Sequence, residues 1–336
     1  MFRFIQMYDY QRNILWGCYL LFIAIFPSTG NSKSLVIESR VNQQPWRRTK
    51  AIYPIKNQQI TLRVRKISGG IIRWYQIRPY LNKMYKNANH PWEKNPYKWI
   101  GLGKISYQRY LLPKFNGKWQ IRPFTSPIVQ APSEYYRSDL GSFWFQAEVN
   151  KNGKVLSSPG LAATTREGIS PKVLRISIRE RDDLVGWVTS FFNVPSIFGS
   201  ITRQSNNYQG VDCADMLVAA HSRWLGGRMR RNYNVAMLVN KFPKVARSTN
   251  QGGNLTPTLV WNKDVRRGDF IAVRYLGARQ FQHIGVLTSD TNANGILDGA
   301  DQVLHTGPWP LQYSPLSDGG FDGTVVILRP TRRLTR

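Results

Sequence analysis

The chain has 336 residues, with 47 Lys or Arg against 19 Asp or Glu, so its formal net charge is +28. A hydrophobic content of 42% excludes wholesale disorder, and the length allows two domains with separate cores. So large a positive charge predicts an acidic partner: an anionic cell-wall polymer, a peptidoglycan peptide or an anionic membrane surface. Nucleic acid is disfavoured, because the basic residues are scattered and no nucleic-acid-binding motif is present.

Residues 1–30 are typical of a secretory signal peptide. Arg3 and Arg12 lead into an apolar run from position 14 to position 26, and small residues follow it. That run is too short to span a bilayer comfortably, although an uncleaved membrane anchor is the alternative. We therefore expect an exported protein, located in the periplasm, in the cell envelope or outside the cell. Residues 31–50 are interpreted as a linker.

Short strand-like segments dominate residues 51–180. Residues 59–65 alternate in polarity, Gly69-Gly70 predicts a turn, and residues 71–77 are expected to return as the second arm of a hairpin. This spacing predicts an all-β domain, loosely similar to an immunoglobulin-like sandwich. Residues 80–99, rich in Asn, Lys, Pro and aromatics, are interpreted as a crossover loop. A sugar-contacting surface is the alternative, and His90 is expected to be solvated there.

Residues 181–330 carry a different pattern. An amphipathic helix is predicted over 183–192, and strands are predicted over 267–274, 283–287, 302–305 and 324–328. Helices followed by an antiparallel sheet predict an α+β domain. Residues 331–336 form a basic tail.

A second helix is predicted to begin at Cys213. Gly210 breaks the preceding segment, Asp212 can cap the helix, and an apolar pattern of helical period runs to Gly226. In the first turn a thiol meets the positive end of the helix dipole, which favours thiolate. The other cysteine, Cys18, lies in the signal peptide, so the exported chain has no partner for an intramolecular disulfide. Cys213 is therefore either incidental or reactive.

A cysteine nucleophile needs a base, and the base needs an orienting partner. Of the four histidines, His221 lies on the same helix about 12 Å along its axis, too far from the sulfur. His283 opens one predicted strand and His305 ends the next. If those strands pair as a hairpin, both imidazoles lie at the same end of the sheet. We therefore predict a site made of Cys213, His283 and His305.

These residues resemble the NlpC/P60 cysteine peptidases, which are papain-like enzymes of bacterial cell envelopes. The resemblance covers about residues 185–328 and rests on Gly210-Val-Asp-Cys-Ala-Asp-Met-Leu217, Gly268-Asp-Phe-Ile-Ala272, His283-Ile-Gly-Val-Leu287 and Val303-Leu-His-Thr306. It implies a papain-like fold, with Cys213 as nucleophile, His283 as base and His305 as orienting residue. It also implies cleavage of peptide or amide bonds in peptidoglycan stem peptides. The Ser-Gly that follows the family's cysteine is Ala214-Asp215 here, and Tyr208 is the candidate for the family's oxyanion tyrosine.

The segment between the two histidines has the spacing of a calcium loop. Oxygen side chains stand at loop positions 1, 3, 5, 9 and 12, with glycine at position 6 and a carbonyl at position 7. The predicted ligands are Asp290, Asn292, Asn294, Ile296 through its carbonyl, Asp298 and Asp301. Residues 280–328 contain no Lys or Arg, which suits a cation site. A polar hairpin turn without metal is the alternative.

The sequence thus predicts an exported, calcium-stabilised cysteine hydrolase that acts on cell-wall peptides and uses no organic cofactor. A β-sandwich-like domain would precede an α+β, papain-like catalytic domain. One alternative is a transglutaminase-like acyl transferase on the same Cys-His framework, with an Asp such as Asp301 in third place. Another is a non-catalytic calcium-binding module that adheres to the cell wall.

Overall fold

The computed structural model describes residues 34–125 and 133–331. The predicted signal peptide and nearly all of the basic tail lie outside these residues. From Ser34 onward the chain forms one compact unit. Within the described ranges, no helix is both long enough and apolar enough to cross a membrane.

Twelve strands lie before residue 180. They are β1 Ile37–Val41, β2 Ala51–Ile52, β3 Ile60–Val64, β4 Ile71–Pro79, β5 Tyr85–Lys86, β6 Tyr107–Leu111, β7 Gln120–Ile121, β8 Gly141–Lys151, β9 Lys154–Ser157, β10 Thr164–Thr165, β11 Gly168–Ile169 and β12 Leu174–Ile178. One sheet has the order β1-β3-β7, and a larger one has the order β2-β12-β8-β4-β6 with β9 paired to β8. Strand β1 lies within the stretch interpreted as a linker.

The predicted hairpin between residues 59–65 and 71–77 is wrong. Strands β3 and β4 both form, but they belong to different sheets. Leu62 on β3 and Ile72 on β4 are fully buried in one hydrophobic core. The turn at Gly69, where φ is 70°, therefore carries the chain from one sheet to the other. A Gly-Gly turn signals a reversal of the chain, but long-range packing decides which strand becomes the partner.

Ten more strands follow residue 196. They are β13 Ile197–Phe198, β14 Lys244–Gln251, β15 Asn254–Thr256, β16 Leu259–Val260, β17 Phe270–Arg274, β18 His283–Ser289, β19 Ile296–Leu297, β20 Gln302–His305, β21 Gln312–Pro315 and β22 Gly323–Leu328. Seven of them make an antiparallel sheet with the order β15-β14-β22-β17-β18-β20-β21. Two small pairings, β13 with β5 and β16 with β19, join loops to the sheets.

The helices are short. They are α1 Leu184–Thr189, α2 Thr202–Asn206, α3 Cys213–Trp224 and α4 Val235–Lys241, with three single 3₁₀ turns at Pro113–Phe115, Leu161–Ala163 and Leu316–Asp318. Helix α1 ends earlier than its apolar pattern predicts. After Thr189 the N–H groups of Phe191 and Phe192 bond three residues back, to Val188 and Thr189, so the chain tightens into turns and then leaves them at Asn193, whose φ is 66°.

The predicted fold class, an α+β papain-like domain behind a β-sandwich, is wrong. Strands account for 36% of the structure and helices for only 13%, and the sheet of the C-terminal half is a curled antiparallel one. The helical segments that the sequence predicts do form, but they are too few and too short to make a helical layer. The protein is therefore mainly β.

A single hydrophobic core runs through both halves of the chain. It contains Trp74 and Phe143 from the N-terminal strands together with Met216 of α3 and Ile284 of β18. A second core covers the opposite face of the seven-stranded sheet, where Val273, Leu287 and Phe321 meet. Helix α3 packs on the first face, against β18. The domain boundary near residue 180 stays a prediction.

Candidate active site

Cys213 is the first residue of α3, as predicted. Asp212 caps the helix, because its carboxylate accepts a hydrogen bond from the N–H of Asp215 at 2.8 Å. The cysteine carries no disulfide and keeps partial exposure to solvent. The cap therefore fixes the sulfur at the end of the helix that packs against the seven-stranded sheet.

The sulfur lies against the backbone of β18. The ladder between β18 and β20 stops after the pair Val286 and Leu304, and the backbone N–H of Ile284 lies close enough to the Cys213 thiol to lower its pKa. Ile284 directly follows His283 in the chain. The thiol and the first residues of β18 are thus brought together, although the sequence separates them by some seventy positions.

The environment of Cys213 favours thiol over thiolate, contrary to the expectation from the helix dipole. Burial of the sulfur raises the pKa of the Cys213 thiol above its ordinary value, and the Asp212 carboxylate raises it further, whereas the N–H groups of Ile284 and Ala214 act the other way. The dipole contribution, about 0.3–1 kcal/mol at an exposed site, is smaller than the cost of desolvating a thiolate. Nucleophilic attack therefore needs a base that removes the proton during the reaction.

His283 and His305 form a hydrogen-bonded pair. Strands β18 and β20 pair antiparallel, and Nε2 of His283 lies 2.9 Å from Nδ1 of His305. The ring of Phe321 packs on both imidazoles, with centroids 5.1 and 5.4 Å away. Gly285 permits this close packing, since a Cβ there would come within 2.5 Å of Val303 and 3.0 Å of Phe321.

A serine extends the pair into a chain of three groups. Nε2 of His305 lies 3.0 Å from Oγ of Ser314, which belongs to β21. Sequence reasoning missed Ser314, because residues 312–315 carry no strong strand pattern and serine is common in loops. The register of the sheet identifies Ser314, because it places this residue opposite Val303, two positions before His305. The sequence alone does not give that register.

Both imidazoles are neutral at physiological pH. Burial lowers the pKa of His283 to about 3, with His305 adding to the effect, and burial lowers the pKa of His305 to about 4. A tautomer that satisfies the chain has His283 Nε2–H donating to His305 and His305 Nε2–H donating to Ser314. In that arrangement Nδ1 of His283 carries the free lone pair, and this nitrogen is the one available as a base.

The structure does not join the sulfur to the base directly. Among the described residues, no hydrogen bond links Cys213 to His283. The imidazole bonds with His305 instead, and the sulfur lies near the backbone N–H of Ile284, the residue after His283. Catalytic hydrogen bonds commonly tighten only when substrate binds. The arrangement thus holds a neutral thiol and a neutral imidazole at the same end of β18 but on opposite faces of the sheet, the thiol with the first core and the imidazole with Phe321 of the second.

Two carboxyl groups, Asp212 and Asp215, stand at the start of α3 beside the thiol; the sequence identifies Asp212 as the cap but does not indicate that Asp215 is buried. Asp215 is completely buried and accepts hydrogen bonds from Ser200 Oγ at 3.2 Å and from the N–H of Tyr233 at 2.8 Å. Burial, together with Asp212, raises the pKa of Asp215 to about 9, and burial raises that of Asp212 to about 6. Asp215 therefore keeps its proton at neutral pH and fixes the start of α3 through neutral hydrogen bonds.

Three other side chains singled out in the sequence lie away from the thiol. Tyr208 is fully buried, with its hydroxyl 3.0 Å from Ser190 Oγ, so it cannot stabilise an oxyanion at Cys213. His221 is buried, with Nε2 2.9 Å from the carbonyl of Thr331. The expectation that His90 is solvated is wrong, because it is only 5% exposed and stacks on Trp92.

The predicted calcium loop lies between β18 and β20. The N–H of Gly295 donates to Asp290 Oδ2 at 2.8 Å, and the amide groups of Asn292 and Asn294 both donate to Asp298 Oδ2, at 3.0 and 2.6 Å. Those amide hydrogen bonds hold the pKa of Asp298 below its usual range. The side chains at loop positions 3 and 5 thus both meet the carboxylate at position 9, at its Oδ2 atom.

One carboxylate oxygen of this loop has no hydrogen-bond partner and is suited to contact a cation. The Oδ1 atom of Asp290 is buried and has no hydrogen-bond partner, and an unpaired buried carboxylate oxygen is costly without a positive charge nearby. Ile296 pairs with Val260 in a short ladder, which fixes the backbone at loop position 7. In the described part of the chain, no group of three or more His, Cys, Asp or Glu side chains is arranged to hold a metal. A cation at Asp290 would therefore need asparagine and backbone oxygens as its other ligands.

Asp301 lies apart from the converging side chains. Its two carboxylate oxygens accept hydrogen bonds from the N–H groups of Thr291 and Asp298, at 2.8 and 3.1 Å, and from Trp261 Nε1 at 2.8 Å. It is completely buried, and its hydrogen bonds to Thr291 and Asp298 connect the two ends of the loop. The same bonds keep it away from His283, whose partner is His305.

Comparison of the chain with family models, with curated proteins and with solved structures gave no match.

Proposed function

We propose that the protein is an exported cysteine hydrolase that cleaves amide bonds in cell-wall peptides. The observation that carries this proposal is the hydrogen-bonded chain of His283, His305 and Ser314, which begins on the strand that packs against α3, where the disulfide-free Cys213 lies. A nucleophile, a base and an orienting group are the parts that acyl transfer through a thioester requires. The strongly basic chain, with a net charge of +28, suits a substrate that carries carboxylates.

In the proposed mechanism the thiol and the imidazole start neutral, and the His283 ring turns from the Phe321 side of β18 toward the sulfur when substrate binds. As Cys213 Sγ attacks the carbonyl carbon, Nδ1 of His283 takes the thiol proton and then delivers it to the leaving amine. The same nitrogen next removes a proton from water, which attacks the thioester and releases the acid and the thiol. His305 stabilises the transient imidazolium by accepting from its Nε2–H. The N–H of Cys213 lies beside the sulfur, where it can donate to the oxyanion.

The decisive experiment uses intact peptidoglycan digested by the wild-type protein and by Cys213→Ala. Mass spectrometry of the soluble products is expected to show new stem-peptide fragments only with the wild type. A thermal melt of the variant serves as the folding control. If both proteins release the same fragments, or if neither releases any, the hydrolase proposal fails. Adding a primary amine reports acyl transfer to an acceptor other than water.

We also propose that the 290–301 loop binds calcium and thereby fixes the hairpin that carries both histidines. Asp290, Asn292, Asn294, Asp298 and the carbonyl of Ile296 would hold the ion, with Asp301 supporting the loop from below. Aspartate at the twelfth position has a shorter side chain than glutamate. We therefore expect a dissociation constant of about 10⁻⁴–10⁻³ M, the range of extracellular modules.

Calcium at ten to a hundred times the dissociation constant is expected to stabilise the protein by about 1.4–2.7 kcal/mol. For a chain of this size that corresponds to a rise in Tm of about 2–4 °C, measurable by scanning calorimetry. Asp290→Asn combined with Asp298→Asn should abolish the rise, whereas Asp318→Asn, in a turn outside the loop, should retain it. An unchanged Tm of the wild type in calcium would refute the site.

A further inference from the structure

A hairpin of the N-terminal half projects aromatic rings beside the candidate active site. We call residues 87–100 the aromatic hairpin. Its two arms are joined by the bridge between Ala88 and Trp99 and by hydrogen bonds from Ile100 N–H to the Asn87 carbonyl at 2.8 Å and from Asn89 N–H to the Lys98 carbonyl at 2.9 Å. The segment is thus an ordered element and not a loose crossover.

Three large rings of this hairpin face solvent. Trp92 is 67% exposed, Tyr97 is 58% exposed and Trp99 is 51% exposed. A soluble surface rarely presents so many large rings within a few residues unless they contact something. The hydrophobic core does not require them, since each keeps more than half of its area in water.

The rings are held in place before any ligand arrives. Trp92 stacks on the buried His90 with centroids 4.5 Å apart and an interplanar angle of 7°, and His90 in turn packs on Phe198 at 4.7 Å. Tyr97 has a φ of 62°, a left-handed conformation that is strained for a bulky residue. Strain of this kind persists where surrounding contacts impose it and is concentrated at functional sites.

The hairpin abuts the candidate active site at two points. The hydroxyl of Tyr97 lies 3.4 Å from Nε2 of Gln282, the residue that precedes His283. On its other side the Asn87 N–H donates to the carbonyl of Phe198 at 2.8 Å. Two residues further along, the N–H of Ser200 donates to the cap residue Asp212 at 3.2 Å. The exposed rings therefore lie along a rim of the site.

The charge around these rings is positive. Residues 80–104 contain five lysines and one glutamate, Glu93. That glutamate is held by Lys86, with both of its oxygens within 2.7 Å of Nζ. Lys94 and Lys98 lie in the hairpin itself, and within the described residues neither forms a salt bridge. The surface thus combines flat aromatic faces with unpaired cations.

We propose that the aromatic hairpin binds the glycan strand to which the cleaved peptide is attached. The apolar C–H faces of sugar rings stack on indole and phenol rings, whose faces carry partial negative charge. The lysines would pair with carboxylates on the acidic substituents of such a strand. This inference rests on the proposed function, because its location matters only if chemistry occurs at Cys213. A single-stranded nucleic acid would use the same residue types, but a platform beside a thiol and a base favours the polymer that carries the substrate.

The test measures binding separately from cleavage. Full-length Cys213→Ala is incubated with insoluble peptidoglycan and with glycan strands from which the peptides have been removed, and the bound fraction is measured by sedimentation. Both materials are expected to retain the protein. Adding Trp92→Ala and Trp99→Ala to this background should weaken binding to both about tenfold or more, as losing two exposed aromatic anchors does. Lys94→Gln with Lys98→Gln should weaken binding mainly at low salt.

A matched control is Trp46→Ala. Trp46 is a partly exposed tryptophan in the loop between β1 and β2 that lies under Arg40 and Arg63, 4.7 and 4.0 Å from the ring centroid. Its loss should leave glycan binding unchanged. Equal binding by the hairpin variant and this control overturns the proposal. Failure of the Cys213→Ala protein itself to bind peptide-free glycan strands also overturns it. An oligonucleotide that binds through Trp92 and Trp99 while glycan does not would also overturn it. Because the background variant has no nucleophile, failure of the hydrolase proposal leaves this measurement intact.

Discussion

Replacing His283 with glutamine is expected to lower kcat/KM for amide hydrolysis about a thousandfold, mainly through kcat. Glutamine is close in length and can still bond to Nδ1 of His305, so the fold should survive. It cannot take a proton from Cys213, and the raised pKa of that thiol means that little thiolate exists without a base. Initial-rate measurements on a soluble stem peptide would give kcat and KM separately.

Substitutions at the other two members of the hydrogen-bonded chain, His305 and Ser314, should lower the rate by progressively smaller factors. His305→Leu removes the acceptor 2.9 Å from His283 and is expected to cost about tenfold to a hundredfold, as the loss of an orienting partner typically does. Ser314→Ala should cost less than about tenfold, because it is one hydrogen bond further away. His221→Gln provides a buried histidine outside the site and should keep wild-type activity. A His283→Gln protein that retains about a tenth of the wild-type rate would place the base elsewhere.

Local features of the candidate site were predictable because they depend on short-range chemistry. The cap at Asp212, the start of α3 at Cys213 and the pairing of the strands that carry His283 and His305 all follow from patterns within a few residues. The 2.9 Å contact between the two rings then follows from strand geometry, since paired strands bring their ends together. No alignment is needed for such steps.

The remaining features depend on contacts between distant segments. Cys213 is partly exposed, but its sulfur is desolvated where it packs against the first core, and no pattern around the cysteine indicates this. Ser314 and Phe321 join the histidines only because β21 and the segment before β22 return to the same end of the sheet. For the same reason the dipole argument gave the wrong direction for the thiol pKa. It treated the helix end as open to solvent.

The misassigned fold class has a related origin. Periodicity identified the helix that begins at Cys213 with nearly its observed length, but it overestimated α1, which has only 6 residues, and it could not reveal the seven-stranded sheet beside them. Nor could it reveal that β3 and β4 lie in different sheets, although the turn between them was evident. Strand partners are chosen by burial across the whole chain. The hairpin of residues 87–100 escaped prediction because its arms are too irregular to alternate.

Acidification is expected to destabilise the wild-type protein much more than the variant His283→Gln/His305→Gln. Both imidazoles have folded-state pKa values, about 3 and about 4, that lie below the ordinary value of 6.5. Below about pH 6.5 the unfolded chain therefore binds protons that the folded chain does not, so stability falls as the pH decreases. At about 1.4 kcal/mol per pKa unit, the two rings together contribute several kcal/mol between about pH 6.5 and about pH 4. Urea unfolding at a series of pH values would measure this difference.

Asp215 provides the internal control, because its linkage has the opposite sign. Its folded-state pKa of about 9 lies above the ordinary value of 3.8. The folded chain therefore holds a proton that the unfolded chain has lost, and the resulting stability is present at low pH and disappears as the pH rises through 9. Asp215→Asn removes this contribution, so it should steepen the acid loss and flatten the alkaline one. If the His283→Gln/His305→Gln variant loses stability in acid as strongly as the wild type, the two rings are not neutral and buried together, and the uncharged starting state assigned to the base is wrong.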